Sequence, residues 1–144
     1  MNITIAGLGY VGTSIGILLS TKHRVIFYDI DKKKLDLINK KKSPIDDPDI
    51  SKFLKEKKLK FTTTTSSKEA FKNSDFIVIC TPTNYNPKTN QFDTSSIEQV
   101  LKKIFENNIS SASIIIRSTV PVGYTKEIRK IFSYKKIFFS PEFL

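Results

Sequence analysis

The opening segment constrains this chain more than any other feature. Asn2-Ile3-Thr4-Ile5-Ala6 reads as a short buried strand, and Gly7-Leu8-Gly9-Tyr10-Val11-Gly12 follows it without a break. A helical apolar pattern comes next (Val11, Ile15, Leu18, Leu19), then a second strand, Val25-Ile26-Phe27-Tyr28, closed by Asp29. Strand, G-x-G-x-x-G, helix, strand and acid within about 30 residues is the spacing of a dinucleotide-binding βαβ unit. Each residue type has a mechanical reason to be there. Gly7 permits the tight turn out of the strand, Gly9 lets backbone approach a pyrophosphate, and Gly12 lets the helix lie close to the sheet. The helix start supplies free N–H groups and a positive dipole end for phosphates. Asp29, 17 residues beyond Gly12, stands where a carboxylate can accept hydrogen bonds from a ribose diol. An ordinary glycine-rich turn would leave Asp29 unexplained.

The alternation continues. Lys32 to Lys42 is predicted helical with Leu35 and Ile38 inward, and residues 43–48 form a Pro- and Asp-rich turn. A short helix is expected over 50–57, a strand over 59–63, and a helix from Ser67 capped by Ser66 or Ser67. Phe76-Ile77-Val78-Ile79-Cys80 is a nearly continuous apolar run, the mark of a central parallel strand covered on both faces. Residues 84–93 read as a loop. A helix capped by Thr94 or Ser95 then carries Ile97, Val100, Leu101, Ile104 and Phe105 at helical spacing. Strand 113–117, helix 125–132 and strand 137–139 complete the series. Six strands alternating with helices predict an α/β fold with a doubly wound, mostly parallel six-stranded sheet of order 3-2-1-4-5-6, one domain over residues 1–144. Ligands in such a sheet bind beyond the carboxyl ends of the strands, so the glycine turn and Thr81-Pro82-Thr83 are expected to face one crevice.

The net charge of +10 raises the possibility of a nucleic-acid partner. Its source argues against one. Lysines occur in short clusters on predicted helix surfaces, arginine is scarce, and no aromatic residues interleave to stack bases. No apolar run approaches the roughly 20 residues of a membrane span, and no secretory leader is recognisable, so neither a membrane nor export is expected. The lone cysteine, Cys80, fits a reducing compartment and a cytoplasmic location, and inside an apolar strand it reads as a small hydrophobe. His23, the sole histidine, lies in the turn before the second strand, opposite the ligand edge; no residue cluster suggests a metal site. A carboxylate at Asp29 accepts from a free 2′-hydroxyl and repels a 2′-phosphate, which favours NAD over NADP. Lys32, Lys33 and Lys34 nearby act in the opposite sense.

Taken together, GLGYVG at 7–12, Ser43-Pro44-Ile45, Thr81-Pro82-Thr83-Asn84-Tyr85-Asn86, Ser118-Thr119-Val120-Pro121-Val122-Gly123 and Ser140-Pro141-Glu142-Phe143-Leu144 resemble the UDP-glucose 6-dehydrogenases. G-x-G-Y-V-G and the T-P-T triplet alone are shared with related nucleotide-sugar dehydrogenases; T-P-T-N-Y-N and S-P-E-F-L look more like the UDP-glucose branch. The resemblance implies a Rossmann domain binding NAD and, in the complete enzyme, a two-step NAD-dependent oxidation of UDP-glucose to UDP-glucuronate. It implies that Asp29 and Lys34 hold the adenosine ribose and that Tyr10 and Val11 line the pyrophosphate turn. Thr83 and Thr119 would lie along the cofactor, Thr119 also near the reacting centre. Glu142 would stand at the sugar end, with Phe143 and Leu144 beginning the segment that contacts the UDP-sugar. In that family the thiol nucleophile, a connecting helix and a UDP-binding domain come from later sequence, and Cys80 does not align with the nucleophile. The 144 residues are therefore expected to bind NAD but not to oxidise UDP-glucose alone. A UDP-N-acetylhexosamine dehydrogenase fragment and a non-catalytic NAD-binding module are the alternatives. Phe138, Phe139, Phe143 and Leu144 are the candidates for an apolar surface through which the chain self-associates.

Overall fold

The computed structural model describes residues 1–88, 90–109 and 111–142. Strand β1 (Asn2–Ala6) leads into helix α1 (Tyr10–Ser20), β2 (Arg24–Tyr28), α2 (Lys32–Asn39), α3 (Pro48–Glu56), β3 (Phe61–Thr64), α4 (Ser67–Phe71) and β4 (Phe76–Ile79). A two-stranded hairpin, β5 (Tyr85–Asn86) with β6 (Gln91–Phe92), precedes α5 (Ser95–Glu106), β7 (Ser113–Ile116), α6 (Tyr124–Ile131) and β8 (Ile137–Phe139). The main sheet runs β3-β2-β1-β4-β7-β8 with every pairing parallel. Counting only its own strands, that is the expected order 3-2-1-4-5-6, the doubly wound Rossmann arrangement.

Alternation along the strands sends neighbouring side chains to opposite faces. Ile3, Ile5, Val25, Phe27 and Val78 meet Ile17 of α1, Leu35 and Ile38 of α2, and Ile50 and Leu54 of α3. Ala6, Tyr28, Ile77, Ile79, Ile114 and Ile116 meet Phe71 of α4, Ile97, Leu101 and Ile104 of α5, and Ile128 of α6. Two helical layers thus bury the sheet from both sides, which is why β4 carries no alternation of polar residues. Within the second layer Thr4 is fully buried yet satisfied. Its hydroxyl lies 2.5 Å from the Ala70 carbonyl and 2.8 Å from the Ser74 hydroxyl, fastening β1 to α4.

The structure corrects several expectations. The buried face of α1 is Gly12, Thr13, Gly16, Ile17 and Ser20, while Leu18 is 64 % exposed. Small residues face the sheet because Phe27 fills the space beneath them: a Cβ on Gly16 would lie 2.2 Å from Phe27 Cε1. Helix α2 stops at Asn39, and Lys41 turns into the left-handed region at φ 56°. Strand β3 is shifted toward Thr64, and β4 ends one residue before Cys80. The segment 84–93 contains the hairpin, pinned by the Tyr85–Phe92 ring pair at 5.2 Å. Helix α5 begins after Thr94, but no side chain caps it in the usual way; Asp93 Oδ1 instead accepts from the Ser95 N–H. Phe143 and Leu144 lie outside the described residues.

Candidate functional site

Beyond the carboxyl ends of β1, β2, β4 and β7 lies a crevice of about 620 Å³. It gathers Gly7, Gly9, Tyr10, Val11, Asp29, Lys34, Thr83, Thr119 and Glu142, residues drawn from six separate stretches of sequence. The one expected residue from the glycine turn that does not line it is Gly12. That glycine faces inward: a Cβ there would lie 1.9 Å from the Gly7 carbonyl oxygen and 3.1 Å from Cys80 Cβ. Gly7 has φ 100° and sits 2.9 Å from the Cys80–Thr81 backbone by the same measure, so both its conformation and its neighbours demand glycine.

Gly9 differs from both. Its backbone is extended (φ −88°, ψ −166°), a conformation open to any residue, and no atom lies within 4 Å of where its Cβ would stand. Nothing in the protein requires a glycine there. The space faces the crevice, directly before the first turn of α1. That turn has no side-chain cap and no acidic residue, so its N–H groups are left for an anionic ligand. The donor set and the bare backbone fit a pyrophosphate.

Asp29 is 8 % exposed, and its two carboxylate oxygens are already in use. Oδ2 accepts from the Leu8 N–H at 2.7 Å and Oδ1 from the Asp31 N–H at 2.8 Å. The first bond ties the glycine turn to the end of β2, so the residue shapes the turn while lining the crevice. Of the three neighbouring lysines, Lys34 lines the crevice whereas Lys32 and Lys33 do not.

At the other end Arg117, from the residue after β7, holds the terminal segment. Its guanidinium forms an ion pair with Glu142 and donates to Ser140 Oγ at 2.9 Å. Cys80 borders the same region, and burial pushes its thiol up to about 12, an effect that the nearby Arg117 charge only partly offsets. A protonated thiol is a poor nucleophile, which matches a packing role. His23 is not among the crevice residues. Among the described residues no group of three or more His, Cys, Asp or Glu side chains could hold a metal ion, and no helix is long and apolar enough to cross a membrane.

Sequence reasoning missed a whole wall of the crevice. Ser96, Gln99, Val100 and Lys103 of α5 line it, with the Ser96 hydroxyl donating to Pro82 O at 2.7 Å. The signal was present in the polar stripe at 96, 99 and 103 bordering the apolar face of α5. Arg117 was visible only as a scarce arginine.

The description "UDP-glucose/GDP-mannose dehydrogenase family, NAD binding domain" matches residues 1–144. A UDP-glucose 6-dehydrogenase of Streptococcus pneumoniae is 46% identical over 144 residues, and one of Campylobacter jejuni is 49% identical over 146. Each alignment takes in 100% of this chain, but 36% of the first protein and 37% of the second. Among solved structures, a ternary complex of GDP-mannose dehydrogenase from Pseudomonas aeruginosa superposes with a TM-score of 0.85 at 33% identity, covering 100% of this chain and 36% of that one. The chain therefore spans about a third of the length of the relatives it matches.

Proposed function

Because the chain belongs to the UDP-glucose/GDP-mannose dehydrogenase family, as its NAD-binding domain, we propose that it is the cofactor-binding part of a UDP-glucose 6-dehydrogenase. The single observation that carries this reading is Gly9, a glycine that neither conformation nor packing explains, opening onto an uncapped helix start in the crevice. Identity of 46–49% to UDP-glucose enzymes, against 33% to the GDP-mannose enzyme of known structure, favours the UDP-glucose substrate. A UDP-D-ManNAc dehydrogenase of known structure is 26% identical, which leaves UDP-N-acetylhexosamine dehydrogenases as the less supported alternative.

Under this reading the 144 residues form one domain. The backbone around Gly9, Tyr10 and Val11 receives the pyrophosphate, and Gly7 and Gly12 keep the turn in shape. Asp29 accepts from the adenosine ribose with Lys34 beside it. Thr83 and Thr119 line the path of the nicotinamide half, and Glu142 stands where the sugar is oxidised, with Phe143 and Leu144 continuing toward the substrate. NAD supplies the hydride acceptor when bound. The chain's own contribution is to bind it, orient it and hold a carboxylate, paired with Arg117, near the reacting end. With Cys80 protonated and packed against Gly12, the chain offers no activated thiol. The nucleophile and the UDP-binding groups are assigned to sequence beyond these residues.

A calorimetric titration of the chain with NAD, and with NADP in parallel, tests the reading. Saturable binding of NAD that NADP does not match is expected, with no NADH formed from UDP-glucose and NAD. Absence of NAD binding would overturn the cofactor assignment, and NADH production would overturn the need for an external thiol. The protonated Cys80 also favours one second reading, a non-catalytic NAD-binding module. That reading takes the lead if this chain, joined to the later domains of a UDP-glucose 6-dehydrogenase, binds NAD yet oxidises no UDP-sugar.

A further inference from the structure

The wall contributed by α5 carries a cation that the cofactor reading leaves without a task. Lys103 lines the crevice alongside Tyr28, Asp29, Ile30, Asp31 and Lys34, the residues at the carboxyl end of β2. Its ammonium is steered there by an aromatic anchor: Nζ donates to the Tyr28 hydroxyl at 3.1 Å and lies 5.8 Å from the centre of the Tyr28 ring. Tyr28 itself is 3 % exposed and held against Phe71, so the anchor does not move with solvent. Among the described residues no carboxylate forms a salt bridge with Lys103. Asp29 is engaged by backbone N–H groups instead. An ammonium has three donors and no acceptor. One is spent on Tyr28, and the others are available at the crevice.

A purely structural role explains this arrangement poorly. Lysine is costly to immobilise, and a neutral residue would satisfy the Tyr28 hydroxyl equally well. A cation in the last turn of α5 gains a little from the helix dipole, but that gain does not require it to reach across to β2.

We propose that Lys103 is a cofactor-binding residue that donates hydrogen bonds to the adenosine half of NAD, opposite Asp29. This rests on the NAD-binding reading above. Acceptors of the required kind are the ring nitrogens of adenine and the ribose oxygens. The two sides of the adenosine site then divide the chemistry: Asp29 accepts from hydroxyls, and Lys103 donates to lone pairs.

The test is calorimetry on the 144-residue chain with NAD, AMP and nicotinamide mononucleotide, in the natural sequence and in Lys103→Met, Lys103→Arg and Tyr28→Phe. Lys103→Met is expected to weaken NAD and AMP alike by about tenfold, the scale of one hydrogen bond from a charged donor. Affinity for nicotinamide mononucleotide should stay the same. Lys103→Arg should restore most of the loss, and Tyr28→Phe should show part of it, because the ammonium loses its anchor but keeps its charge. Melting temperatures recorded on the same samples separate binding loss from unfolding, and the rescue by arginine decides if Lys103→Met is unstable. Unchanged AMP affinity in folded Lys103→Met overturns the proposal, as does an equal loss for the nicotinamide nucleotide. A natural chain that binds neither NAD nor AMP overturns the NAD-binding reading itself.

Discussion

Three glycines of one turn are glycine for three different reasons, and those of Gly12 and Gly9 make opposite predictions. Gly12→Ala drives a methyl group into the Gly7 carbonyl, so it should lower stability by about 1–3 kcal/mol and reduce Tm by several degrees. Gly9→Ala meets no protein atom and needs no unusual φ, so its melting curve should overlay that of the natural chain. Its NAD affinity should nevertheless fall on the order of tenfold or more, since the methyl stands where the pyrophosphate must approach. Thermal melts with and without NAD separate the two. Cys80 carries a pH dependence. Its folded thiol is raised from 9.0 to about 12, so the unfolded chain loses its proton first. The stability that the buried thiol contributes is fully present below about pH 9 and drains away as pH rises toward 12. Burial of the Tyr124 phenol, also raised to about 12, adds to the same alkaline loss. Denaturant midpoints between pH 8 and 11 should fall, and the slope should be shallower in Cys80→Ala. At this scale the sequence was most legible where covalent constraint dominates: GLGYVG and Asp29 could be placed because glycine and a strand-end carboxylate have few other uses. Lys103 and Arg117 were illegible, because a surface cation and a crevice cation are the same letter until the helix register and the neighbouring strand are known.

Among the elements, the clearest sequence signals belonged to those that bury continuous apolar surface. Strand β4 and helix α5 fell where the runs of Ile, Val and Leu put them. Helix α1 misled because large apolar residues usually mark the inner face. Here the strand beneath carries Phe27, and the complementary inner face must be small. The β5–β6 hairpin escaped notice because its strands are only two residues long, too short for any alternation to show, and are joined by one aromatic pair. The joint between β1 and α4 is the most testable of the internal seams. Thr4→Val keeps the shape but removes the hydroxyl that serves both Ala70 O and Ser74 Oγ. It should cost about 1–2 kcal/mol, read from the chemical-denaturation midpoint, with little change in NAD affinity. An unchanged midpoint would mean that α4 is held by packing alone.

For the molecule as a whole, the sheet among the described residues ends on β3 at one edge and on the apolar β8 at the other. Strand β8 is its last member, and Phe138 and Phe139 are 44 % and 43 % exposed. An apolar strand with an unpaired edge favours association. We therefore expect a concentration-dependent rise in mass by light scattering, reduced in the double variant Phe138→Lys, Phe139→Lys. Mass that stays monomeric across the range would remove this expectation. The central position of β1 has a consequence in time. Strand β1 is made before both of its partners: it is hydrogen-bonded on one side to β2 and on the other to β4, whose residues 76–79 follow only after α1, β2, α2, α3, β3 and α4. Until then β1 can pair on one flank only, and the glycine turn has no second wall to close against. Synthesis therefore reaches a folded cofactor crevice late, through contacts of long sequence separation that set a slow pace. A chaperone meeting the nascent chain would find β1 exposed for most of that interval.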